Sequence, residues 1–211
     1  MRLGIFGGTF NPIHSGHLRT AEEVRYKLRL DKVIFVPSGN PPLKEYDAVE
    51  ASHKLAMAAL AAASNKYFIV SDIEAGSRRK SYTVDTLRTL KKKYPGDELY
   101  FILGSDAFLE IPKWRQPEKL TGMTDFIIVL RPGCGRDAIA NSTYIKRINT
   151  ESAHDFQSYR LVSGRLAFLV PVTQLDISST GIRNLIRQNK SVKYLLPESV
   201  ERYIRKHKLY S

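Results

Sequence analysis

The sequence predicts a doubly wound α/β fold on a parallel sheet, and two features of it say so. Short runs rich in Ile, Val and Phe recur along the chain, near-continuously apolar as strands buried on both faces are. Amphipathic helical patterns lie between several of them, the alternation that joins parallel strands through crossover helices. In chain order the runs are RLGIF (2–6), KVIFVP (32–37), YFIVSDI (67–73), LYFIL (99–103), DFIIVL (125–130) and LAFLVPV (166–172). Among the helical patterns, residues 17–30 align Leu18, Ala21, Val24 and Leu28, and residues 53–64 align Leu55, Ala59, Leu60 and Ala63. Residues 83–94 align Val84, Leu87, Leu90 and Tyr94, each set forming one apolar stripe. The stretch 136–165 is less regular and is expected to be a small helical excursion or a partly mobile segment. Near the C-terminus Val200, Tyr203 and Ile204 fall at helical spacing within a basic run, which predicts an amphipathic surface helix. No repeat or long linker divides the chain, so residues 1–211 are read as one domain with 176–211 as its C-terminal segment.

Composition limits the function classes. The chain has 211 residues, 43% hydrophobic and 26% charged, enough to bury roughly 70% of the surface its unfolded form exposes. It holds no run of about 18 apolar residues that would span a bilayer, and no secretory pattern precedes the first strand, so a cytoplasmic protein without membrane association is expected. Cys134, the single cysteine, forms no internal disulfide and reads as a passive thiol in a loop. A net charge of +12 suits a partner carrying phosphate. The basic clusters, Arg78 to Lys80, Lys91 to Lys93 and Arg202 to Lys208, lie apart and form no continuous arm, and Lys91 to Lys93 complement the dipole at a helix end.

Ligands of such sheets bind beyond the C-terminal strand ends, near the point where strand order reverses. The loops placed there are GGTFNPIHSGH, PSGNPPLKEY, EAGSRRKSYT, GSDAFLEIPKW, RPGCGR and TQLDISSTGIR, and every unusual stretch of the chain falls in one of them. Gly7-Gly8 between a strand and a helix allows backbone N–H groups to approach an anion, although neither G-x-G-x-x-G nor a P-loop is present. His14 and His17, three apart at a helix start, can lie on one face. They stand as core or capping groups, as two ligands of a zinc site, or as donors to phosphate oxygens. In ISSTGIRNLIRQ, Ser179 or Thr180 is the expected N-cap, Ile182, Leu185 and Ile186 the buried face, and Arg183 a first-turn cation completing a second anion-suited helix start.

GGTFNPIHSGHL together with ISSTGIR resembles the nucleotidyltransferase superfamily marked by a T/H-x-G-H element. SYTVDTL, GSD, KW and RPG in this order make the chain similar to the bacterial nicotinate mononucleotide adenylyltransferases over essentially its whole length. The resemblance implies a Rossmann-like doubly wound parallel sheet of nucleotidyltransferase type with a C-terminal helical segment. The implied activity is transfer of AMP from ATP to nicotinate mononucleotide, giving deamido-NAD and pyrophosphate, with Mg²⁺ held mainly by the substrate phosphates and no protein-ligated metal. By residue match His14, His17 and Arg183 act in catalysis. Gly7, Gly8, Thr9, Phe10, His17, Gly104, Asp106, Ile177, Ser179, Thr180 and Arg183 take ATP, with Asp106 toward a ribose. Ser38, Lys44, Tyr82, Thr83, Trp114 and Arg131 take nicotinate mononucleotide, with Trp114 stacking on the pyridine ring. The positive helix end at Tyr82-Thr83 favours a carboxylate over a carboxamide there. Partners are the two small-molecule substrates, with no nucleic acid or membrane expected, for a monomer or homodimer. The chain departs from the family pattern at Leu43, where His is usual, and at Asn11, where Asp is common. Two rival readings remain: the same chemistry on another acceptor such as phosphopantetheine, and a nucleic-acid-binding protein on an inactive nucleotide fold.

Overall fold

The computed structural model describes residues 1–40, 49–76, 80–131, 133, 135–149 and 156–211. Eight strands of these residues form one sheet: β1 (Arg2–Gly8), β2 (Lys32–Pro37), β3 (Phe68–Val70), β4 (Glu98–Gly104), β5 (Asp125–Val129), β6 (Ile145–Asn149), β7 (Gln157–Leu161) and β8 (Leu166–Val170), in the order β3-β2-β1-β4-β5-β8-β7-β6. From β3 to β8 every pairing is parallel, as the runs predict. Strands β7 and β6 add on antiparallel, which makes the sheet mixed.

Alternate residues of the central strands enter opposite cores, as a pleated strand requires. In β5, Ile127 and Val129 join one apolar cluster while Phe126 and Ile128 join the other. The first cluster is closed by α1 (Ser15–Lys27), α2 (Ala51–Ala62), α7 (Ser179–Arg187) and α8 (Glu198–Lys206), through Ala21, Val24, Met57, Ile182, Val200 and Ile204. The second is closed by α3 (Thr83–Lys93), α4 (Ser105–Leu109), α5 (Pro117–Met123) and α6 (Arg136–Ala140), through Leu87, Leu90, Phe108, Leu120 and Ile139. The sheet is thus wound on both faces, and no helix among the described residues is long and apolar enough to cross a membrane.

Two sequence expectations are corrected here. Residues 136–165, expected as a helical excursion or a mobile segment, contain α6 and the strands β6 and β7. Strand β7 alternates buried Tyr159 and Leu161 with exposed Arg160, so polar residues interrupt the apolar run that marks a doubly buried strand. In α2 the inward face is Lys54, Met57, Ala58, Ala61 and Ala62, and Leu60 is 37% exposed. An alanine-rich helix is apolar around most of its circumference, so periodicity does not select a face, and a lysine on the inward side is the last residue a pattern would place there. The stripes on α1 and α3 are as expected, with Ala21, Val24, Leu28, Val84, Leu87 and Leu90 buried, and Lys91 to Lys93 end α3.

Candidate active site

Strand order reverses between β1 and β4, whose helical connections depart to opposite faces, and a crevice opens there beyond the strand ends. Gly7 and Gly8 of β1, Ser38 after β2, Gly104 of β4 and Arg131 after β5 line a single cleft of about 1380 Å³. That exceeds the roughly 300–1,000 Å³ of a pocket for one small ligand, leaving room for two nucleotides.

The histidine pair lines this cleft. His14 takes the N-cap position of α1 with an extended backbone, and His17 follows one turn later. Their rings stack at 3.6 Å between centroids with 26° between planes, so they lie parallel rather than converging on a metal. Among the described residues no group of three or more His, Cys, Asp or Glu gathers that could hold one. The backbone N–H of His14 donates to Nδ1 of His17 at 3.2 Å. An accepting Nδ1 carries no proton, so the neutral His17 ring presents N–H at Nε2. Both rings are neutral at pH 7. Burial, followed by the Arg131 charge, lowers His14 to about 4. Burial, then His14, then Arg131 hold His17 well below its ordinary value. Two buried side-chain polar atoms among the described residues have no hydrogen-bond partner, Nδ1 of His14 and Oγ of Ser38, and both residues line the cleft. Native interiors leave few such atoms, so two in residues that line one cleft are informative.

The glycine pair divides its work. A Cβ on Gly7 would meet Phe101 at 3.4 Å, an ordinary contact, whereas a Cβ on Gly8 would lie 2.8 to 3.2 Å from three ring atoms of Phe10. Phe10 is 2% exposed and stands edge-on to His17 at 5.0 Å. Its ring therefore backs the histidine from the core, and its expected place along the nucleotide reduces to its backbone. Gly8→Ala is expected to cost about 1–3 kcal/mol by overpacking, read as a lower urea midpoint, while Gly7→Ala stays near wild type.

The C-terminal segment braces this loop. The N-cap of α7 is Ser178, whose Oγ accepts from Gly181 N–H at 3.0 Å, rather than Ser179 or Thr180. Ser179, freed from capping, donates its hydroxyl to the Pro12 carbonyl at 2.9 Å. Arg183 sits just past the first turn, not within it, and its guanidinium donates to the Asn11 carbonyl at 2.7 Å and to Thr180 Oγ1 at 3.1 Å. Tyr210 donates its hydroxyl to Asn11 Oδ1. Ile177, Ser178 and Ser179 line the cleft, but Thr180 and Arg183 do not. Of the expected phosphate group, Ser179 and Arg183 hold the histidine loop, and Thr180 steadies the Arg183 guanidinium.

On the remaining walls, Asp106 is the second residue of α4, capped by Gly104, so it is free of the capping role. It meets the Arg131 guanidinium at 3.3 Å. Arg131, assigned by resemblance to the mononucleotide, thus stands beside the ATP-assigned Asp106 and acts electrostatically on both histidines. Tyr82 is the N-cap of α3, its ring covered by the Arg115 guanidinium at 4.6 Å, and Thr83 opens that helix beside it. Trp114 is half-buried with its edge toward Phe101, and it lines the cleft with Thr9, Tyr82 and Thr83. Lys44, Leu43 and Cys134 lie outside the described residues. The cleft also contains Glu74, Thr20 and Arg115, which motif reading did not single out. Glu74 lay in a loop already assigned to the site, EAGSRRKSYT, and an apolar strand followed at once by a carboxylate was the available signal.

Comparison with known proteins gives the family. The cytidylyltransferase-like family model matches residues 5–185. A protein of Geobacter sulfurreducens named "Probable nicotinate-nucleotide adenylyltransferase" is 42% identical over 214 residues, covering 100% of this chain and 99% of that one. One of the same name from Thermoanaerobacter is 45% identical over 212 residues, covering 100% and 94%. In fold the chain is similar to a Plasmodium falciparum nicotinic acid mononucleotide adenylyltransferase complexed with NaAD, with a TM-score of 0.76 and 22% identity over 99% of this chain and 97% of that one.

Proposed function

Because this chain belongs to the cytidylyltransferase-like nucleotidyltransferases and, within them, to the nicotinate-nucleotide adenylyltransferases, we propose how its cleft performs their reaction. The enzyme transfers AMP from ATP to nicotinate mononucleotide, giving deamido-NAD and pyrophosphate. A phosphate oxygen of the mononucleotide attacks the α-phosphorus in line, the P–O bond to the β-phosphate breaks, and its electrons leave with pyrophosphate. No covalent enzyme intermediate is needed, so catalysis is positioning plus charge stabilisation.

In our reading the fixed His17 Nε2–H donates to a non-bridging oxygen of the α-phosphate as charge builds there, a preorganised neutral donor in a dry site. His14 stacks on it, and Arg131 adds positive charge from the β5 side. Ser179 and Ile177 border the triphosphate, Asp106 accepts from a ribose, and Gly7, Gly8 and Thr9 present backbone. Arg183, steadied by Thr180, keeps the loop in register, and direct phosphate contact by Arg183 requires it to exchange its bond to the Asn11 carbonyl. Ser38, Tyr82, Thr83 and Trp114 bound the mononucleotide, with Lys44 assigned to its phosphate from the sequence alone. Mg²⁺ fits as an ion carried by the triphosphate, since the near carboxylate of Asp106 is paired and the histidines stack. When bound it withdraws charge from the phosphates. The reading includes a cytoplasmic monomer or homodimer acting on these two substrates.

The observation that carries the assignment is the stacked neutral histidine pair, held in one tautomer at the switch point. The test is pyrophosphate release from ATP with each acceptor. Release is expected to require the mononucleotide and to show a higher kcat/KM with the nicotinate than with the nicotinamide form. A preference for the amide overturns the assignment of the Tyr82-Thr83 helix end.

A further inference from the structure

Under the mononucleotide wall lies a polar knot that catalysis as described does not use. Glu74, in the loop after β3, accepts from the Thr86 hydroxyl at 2.6 Å, and the Ser81 hydroxyl and the Gly39 backbone N–H favour its charged form. The backbone of Ser81 in turn donates to the Asn40 carbonyl at 2.9 Å. Lys54 of α2, only 1% exposed, donates from Nζ to the Gly39 carbonyl at 3.3 Å, and its charge acts on the Glu74 carboxylate. Gly39 is enclosed so tightly that a Cβ there would come within 2.1 Å of the Glu74 carbonyl oxygen. This carboxyl thus ties the loop after β3 to the first turn of α3 beside the loop after β2, and it borders the same cleft as Tyr82 and Thr83.

An ionised carboxylate at this position opposes the binding of a second carboxylate at the start of α3. Burial raises Glu74, while its three donors and Lys54 act to keep it charged. A buried lysine is itself costly unless an anion is near. The Lys54 charge acts against that of Glu74, while the N-terminus of α3 attracts an anion.

We propose that Lys54 and Glu74 are specificity-determining positioning residues: Glu74 fixes the start of α3, and Lys54 cancels the carboxylate so that the cleft accepts an anionic pyridine ring. This rests on the reading that Tyr82-Thr83 face the nicotinate carboxylate. The test measures kcat/KM for nicotinate and nicotinamide mononucleotide at pH 8, with KM for ATP as control. In Lys54→Met the acid-to-amide ratio is expected to fall by about tenfold, the scale of one uncompensated charge at an effective protein dielectric of about 20, with KM for ATP unchanged. Adding Glu74→Gln is expected to restore the ratio, since the amide keeps one acceptor oxygen for Thr86 and removes the charge. Glu74→Gln alone is expected to leave the ratio at or above wild type, and it decides the matter if Lys54→Met does not fold. Equal losses for both acceptors, no recovery in the double variant, or a lower ratio in Glu74→Gln each overturn the proposal. A wild-type enzyme that favours the amide overturns instead the reading of the site on which the proposal rests.

Discussion

His17→Ala is expected to lower kcat by about 10² to 10³, the scale of losing one preorganised donor at developing charge, with the far-UV spectrum unchanged. The reason is the combination of geometry and protonation. The ring is fixed on one side by the His14 backbone N–H, on its face by the His14 ring and at its edges by Phe6 and Phe10. Little reorganisation is needed when charge appears on the phosphate. Because the proton is at Nε2, the ring supplies a neutral donor throughout the reaction and takes up no proton. His17→Gln, whose amide nitrogen can approach the Nε2 position, is expected to recover part of the loss. Asn at the same position, being shorter, recovers less. Turnover of His17→Ala within about threefold of wild type, read as pyrophosphate release at saturating substrates, overturns the role assigned from transition-state donation.

The histidine loop was legible because its signals are local: glycines at a strand end, a helix start three residues wide, and an apolar stripe beyond it. What the sequence could not reveal is which atom meets which across the fold. Gly8 reads as room for an anion, yet its neighbour is the Phe10 ring. ISST offers three adjacent hydroxyls of similar capping strength. Ser178 wins because Ser179 is drawn to the Pro12 carbonyl, a partner 167 residues away in the chain. Arg183 reads as a phosphate cation, but the carbonyl of Asn11 takes its guanidinium. Lys54 and Glu74 are the extreme case, since neither belongs to a motif and only the packing of α2 under the β2 loop brings them to one site. Sheet order was the reverse: near-continuous runs identified the parallel strands, while β7 was hidden by the period-2 alternation of a strand near the sheet edge.

The same burial that keeps the histidines neutral makes the fold acid-sensitive in a defined window. His14 titrates near 4 when folded and near 6.5 when unfolded, so between these values the unfolded chain binds the additional proton. Stability therefore rises with pH through that interval and is lost as pH falls from 6.5 toward 4. At about 1.36 kcal/mol per pH unit the His14 contribution is roughly 3 kcal/mol, and His17, lowered in the same direction, adds to it. Glu22 and Glu23, whose carboxyls are held below their ordinary 4.5, lose stability only below that value. Glu74, raised by burial, acts in the opposite sense by binding a proton first in the folded state. Urea midpoints at pH 7, 6, 5 and 4.5 are expected to fall steadily for the wild type. The decline should be shallower in His14→Gln, whose side chain does not titrate, and steeper in Glu74→Gln, which removes the opposing carboxyl. Parallel declines in the wild type and His14→Gln overturn the assignment of this window to the histidine pair, and with it the neutral ring on which the donor role of His17 depends.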